Sequence, residues 1–83
     1  MNTEQKAATA KRLLDDEGLS LAFDEILGAA TRVFLDAAST QEAREQAHED
    51  VRSIQKLRNR LKLWGSEQKI AEHRMKGQHR GSD

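Results

Sequence analysis

Residues 19–61 read LSLAFDEILGAATRVFLDAASTQEAREQAHEDVRSIQKLRNRL, and the spacing of their apolar side chains decides the fold. Leu19, Phe23, Ile26, Ala30, Val33 and Ala37 follow one another at steps of four, three, four, three and four. After a polar break at Ser39 and Thr40 the pattern resumes at Ala47, Val51, Ile54, Leu57, Leu61 and Trp64. On an α-helix, steps of three and four gather side chains on one face. Two such helices joined by a short break make an antiparallel hairpin in which each covers the other's stripe. The expected class is all-α: a helical hairpin of two long amphipathic helices, with a short N-terminal helix and a mobile or short-helical basic tail.

The first long helix is expected over residues 17–38. Asp15 or Asp16 can accept hydrogen bonds at its N-terminus, and the run Asp15-Asp16-Glu17 sits where the helix dipole favours anions. Three consecutive acids do not converge on one point and no EF-hand spacing follows, so no metal site is read there. Leu27 and Phe34 flank the stripe, widening it beyond a coiled-coil seam. Ser39 with Glu42 has capping-box spacing, so the second long helix is expected over residues 41–64, with Gly65 as the residue that ends it. Ser39 has no visible base, and His48 reads as a surface side chain.

Working outward, residues 3–14 form a helix capped by Asn2 or Thr3. Asn2 and Gln5 have the spacing of a reciprocal cap. Its apolar content is mostly alanine, which buries little area, so weak docking through Leu13 and Leu14 is expected. Residues 66–83 read as a short helix running into a glycine-broken basic end. The whole chain, 1–83, is expected to be one helical domain.

Composition agrees. The chain has no proline and few β-branched residues, which favours helices over sheet. Without cysteine it can hold neither a disulfide framework nor a thiolate metal site. The histidines at 48, 73 and 79 lack zinc-ligand spacing. MNTEQKAATAKR has no apolar run of the secretory type, and no apolar stretch is long enough for a membrane span. At 83 residues the core is modest, and self-association is a common remedy.

The net charge is zero, yet residues 1–50 hold five Lys/Arg against eleven Asp/Glu, and residues 51–83 hold nine against three. In an antiparallel hairpin these segments lie side by side and cancel, within one molecule or across an oligomer. Arg52, Lys56 and Arg60 recur every four residues and, with Arg58 and Lys62, form the basic stretch that a nucleic-acid backbone or an acidic partner would meet.

Lys11-Arg12-Leu13-Leu14-Asp15-Asp16, Ala22-Phe23-Asp24 and Glu42-Ala43-Arg44-Glu45, with the Leu57–Leu61 helix, resemble a group of small helical proteins of tailed bacteriophages and prophages. The resemblance covers about residues 11–64. It implies a gene among virion and assembly genes, a place in the virion or the host cytoplasm, and no catalytic residues; apart from the resemblance, a cytoplasmic place is expected. Many members carry an aromatic early in the third helix, where this chain has Gln46-Ala47-His48.

No catalytic, cofactor or metal residues are named. The residues expected to form core or interface are Leu19, Phe23, Ile26, Leu27, Val33, Phe34, Val51, Ile54, Leu57, Leu61 and Trp64. The function expected is a non-enzymatic protein–protein interaction module. Its partner would be a second copy or another protein of the same particle, not a membrane or a small-molecule substrate. A hairpin that binds nucleic acid through the basic face of the second long helix and the tail, and a small phage inhibitor of a host protein, are the alternatives.

Overall fold

Local signals set the helix boundaries. The computed structural model describes residues 1–81, and the side chains of residues 1–74. These residues form α1 (Thr3–Leu14), α2 (Glu17–Leu35) and α3 (Gln41–Gly81). At the start of α1 the Asn2 carboxamide oxygen accepts from the Gln5 N–H at 2.8 Å, and Gln5 Oε1 accepts from the Asn2 N–H at 3.0 Å. That is the reciprocal cap its sequence spacing allows. At the start of α2 the Asp16 carboxylate accepts from the Leu19 N–H at 2.8 Å, which satisfies one of the four unpaired donors of a helix end.

α2 stops at Leu35, three residues short of the expected end at Ala38. The Asp36 carboxylate accepts from the Ala38 N–H at 2.9 Å, a local turn that competes with further helix. Ser39 has a different job from the one its spacing suggests. Its hydroxyl donates to the Val33 carbonyl at 2.7 Å and closes the end of α2. Thr40 caps α3 instead, its hydroxyl oxygen accepting from the Ala43 N–H at 3.0 Å.

The largest difference from the sequence reading is at Gly65. The helix expected to end at Trp64 continues through Gly65 to Gly81 as one element. No glycine among the described residues has positive φ, so Gly65 makes no left-handed cap. Nothing at Gly65 interrupts the backbone ladder: Ser66, Glu67, Gln68 and Lys69 follow without proline, and one internal glycine costs only about 1 kcal/mol relative to alanine. The short helix and glycine-broken mobile end expected over residues 66–83 are instead the continuation of α3 as far as Gly81, and only residues 82–83 of that expectation lie outside the described residues.

The molecule measures 67 × 23 × 19 Å. A helix of 41 residues is roughly 61 Å long at ~1.5 Å per residue, so α3 sets the length. The other two dimensions accommodate two helices side by side. α1 and α2 both pack on α3 and scarcely touch each other. Together they form a second, broken rod antiparallel to α3. α2 lies along its first half, with Phe34 against His48 and Phe23 against Arg58. α1 lies along its second half, with Ala7, Ala10 and Leu14 facing Leu61, Gly65 and Gln68.

The core is a single file. Ala10, Phe23, Ala30, Ala47, Ile54 and Leu61 are buried. Ala47, Ile54 and Leu61 are seven residues apart on α3, and Phe23 and Ala30 are seven apart on α2, so both helices present one row to the seam. α1 is better docked than its alanine content suggests. Ala10 is the most buried residue of the core at 1% exposure, because a methyl group lets the two backbones come close where a larger side chain would hold them apart.

Candidate functional site

The seam between α2 and α3 has two flanks, and they differ. On one flank the Arg58 guanidinium lies 4.8 Å from the centroid of the Phe23 ring, and Arg58 Nη2 is 3.9 Å from Asp24 Oδ1. On the same flank the rings of Phe34 and His48 meet at 4.7 Å between centroids, tilted 41°. Arg58 therefore covers the aromatic core residue with its planar cation. The ion pair adds little, since Asp24 is largely in water.

Successive helix residues are turned about 100° from each other. The chain neighbours of Arg58 and Phe34, namely Leu57 and Val33, therefore turn to the opposite flank. Leu19, Ile26 and Val33 line that flank on α2 at steps of seven, and Leu57 and Trp64 line it on α3. Ile26 is 43% exposed and Leu57 46% exposed. Leu19, Val33 and Trp64 are half-buried. Trp64 is partly roofed by α1, with Lys6 Nζ 5.7 Å from its ring centroid. The same step of seven places half-buried Asp50 on this flank of α3, so the open apolar strip at the middle of the rod is made by Leu19, Ile26 and Val33 on α2 with Leu57 and Trp64 on α3, and an acid stands at its turn end.

The residues expected to form core or interface thus divide into three groups. Phe23, Ile54 and Leu61 are buried between the helices. Leu27, Val51 and Phe34 sit at the edge of the seam on the Arg58 flank, Phe34 at 36% exposure. Leu19, Ile26, Val33, Leu57 and Trp64 form the open strip. Large apolar side chains also stand on the outer surfaces, among them Leu21, Leu35, Leu63 and Ile70. They are scattered, and scattered apolar residues are ordinary on a protein surface.

The basic stretch also divides. Arg52, Lys56, Arg60 and Lys62 are exposed, and Arg52 pairs with Glu49 at 3.1 Å within α3. Arg58 turns inward on Phe23 and leaves the stripe. Arg52, Lys56 and Arg60 share an open groove along the outside of α3 with Gln55, Asn59 and Leu63. A second open groove, between α1 and α3, is lined by Ala7, Ala10, Leu14, Leu61 and Gly65, with Lys11, Lys62 and Lys69 at its rim.

Among the described residues no three His, Asp or Glu side chains converge as metal ligands do. No described helix is long and apolar enough to cross a membrane. Comparison with protein-family models, curated proteins and solved structures finds no match to this chain.

Sequence spacing named every residue of the open strip but did not separate it from the buried file. The separating signal was available in one place. Arg58 interrupts the apolar pattern beside Leu57, and a long cation at a seam position can cover one flank only.

Proposed function

We propose that this chain is a non-enzymatic protein–protein interaction module that acts as an oligomer. Following the resemblance of residues 11–64 to small helical phage proteins, we place it among the structural or assembly components of a virion. The observation that carries the module reading is the open strip. Ile26 and Leu57 stand nearly half in water, while among the described residues only six are buried, three of them alanine. A chain of this size buries too little to be generously stable alone, and covering the strip supplies what the core lacks.

Light scattering on the intact chain at high micromolar concentration tests this reading. A mass of two chains or more is expected, and a clean monomer would overturn it.

A second reading, nucleic-acid binding, is favoured by the exposed repeat of Arg52, Lys56 and Arg60. It is opposed by the acidic start of α3, where Glu42, Glu45, Glu49 and Asp50 precede those cations on the same helix. A gel shift at low salt that fades steeply as salt is added would establish it. No shift at low salt would end it.

A further inference from the structure

The fold converts an asymmetry along the sequence into an asymmetry along a rod. The chain turns at residues 36–40, so that end of the rod carries the last part of α2 and the first part of α3. Residues 24–50 hold seven Asp/Glu against two Lys/Arg. The opposite end carries α1, the start of α2 and the rest of α3. There, residues 1–23 and 51–74 together hold ten Lys/Arg against six Asp/Glu. One end of the molecule is acidic, the other basic, and the open apolar strip lies between them.

Resting on the self-association proposed above, we infer that two copies pair antiparallel across the strip of Leu19, Ile26, Val33, Leu57 and Trp64, closing a four-helix assembly. Two features select this geometry. The first is position. The two-helix part of the rod runs from Gln41 to the level of Glu72, which lines the α1–α3 groove with Ala7. Its midpoint falls beside Leu57. A two-fold axis there lets Leu57 and Ile26 meet their own copies, as an isologous contact requires. The second is charge. About that axis the acidic start of α3, with Glu49 and Asp50, comes opposite the partner's basic end, where Lys6 and Arg60 flank Trp64. A parallel pairing would set acidic end on acidic end and basic on basic. Like charges facing each other disfavour a register, and unlike charges fix it.

The chain has no cysteine of its own, so single cysteines report the geometry directly. Leu57→Cys places a thiol at the axis, and Gln46→Cys places one on the same flank three turns toward the acidic end. In the antiparallel pair the two copies of position 46 stand about 33 Å apart at ~1.5 Å per residue. Under mild oxidation Leu57→Cys is expected to give a disulfide-linked dimer and Gln46→Cys a monomer band. Efficient cross-linking through position 46 would overturn the antiparallel order. Ile26→Glu with Leu57→Glu provides a second arm. Both sites are nearly half exposed, so helical circular dichroism should persist while the dimer dissociates at least tenfold more readily. A dimer of unchanged affinity would overturn the choice of face while leaving self-association standing. A wild-type chain that stays monomeric would instead remove the broader reading together with this one.

Discussion

Replacing Gly65 with alanine should make this protein more stable. Gly65 lies inside α3 with ordinary helical backbone, and none of the glycines with described geometry has positive φ. A Cβ built there meets nothing within 4 Å. The substitution therefore gains the intrinsic helix preference of alanine, about 0.8–1 kcal/mol, with no steric cost to offset it. For a domain of this size that corresponds to a rise in Tm of about 4–8 °C. Thermal unfolding followed by circular dichroism, at one fixed protein concentration, measures it. The opposite sign would follow if Gly65 ended the helix in the left-handed region, because a Cβ costs roughly 1–2 kcal/mol there. A lowered Tm for Gly65→Ala would therefore refute the continuous α3.

Two other helical glycines grade the same argument: Gly28→Ala should also stabilise, since its Cβ meets only the Arg32 Nη1 at 3.8 Å, whereas Gly18→Ala should gain far less, because its Cβ comes within 3.2 Å of the capping Asp16 oxygen. Urea unfolding reads both. Ile54→Ala removes a side chain that is 5% exposed at the centre of the α2–α3 seam; a loss of about 2–5 kcal/mol is expected, enough to abolish cooperative melting in so small a core. Asp16→Ala should cost about 1 kcal/mol through its lost bond to the Leu19 N–H, while Asp15→Ala changes little. Arg58→Ala should cost more than Asp24→Ala, because the guanidinium covers the Phe23 ring while the Asp24 contact is long and wet.

Periodicity made most of the frame legible. The steps of three and four through Leu19–Val33 and Ala47–Trp64 reflect the requirement that one helix face meet another, which any stable packing of these two helices must satisfy. The cap at Asn2 and Gln5 was equally readable, because both partners lie within four residues. Three features were not. Ser39 and Thr40 are both competent caps, and the choice between them depends on the Val33 carbonyl, which the turn brings within reach of Ser39. Gly65 is compatible with a helix end and with a helix interior, and the uninterrupted helix-forming run Ser66 to Lys69 after it carries the ladder on. The docking of α1 was underestimated because alanine contributes little area, whereas close backbone approach at Ala10 depends on its being small. The open strip could be named but not assigned, since single-file burial and two-flank burial share one spacing until Arg58 is seen over Phe23.

We propose that a second copy covers the apolar strip of a rod whose own seam is narrow. Folding and association should then be coupled, and mass action should raise the melting temperature with protein concentration. Melting curves collected over a hundredfold range of concentration test this most directly. The account predicts a Tm that climbs steadily across that range, and a climb that disappears in the Ile26→Glu, Leu57→Glu variant. A wild-type Tm that is independent of concentration, with a sharp cooperative transition throughout, would contradict it.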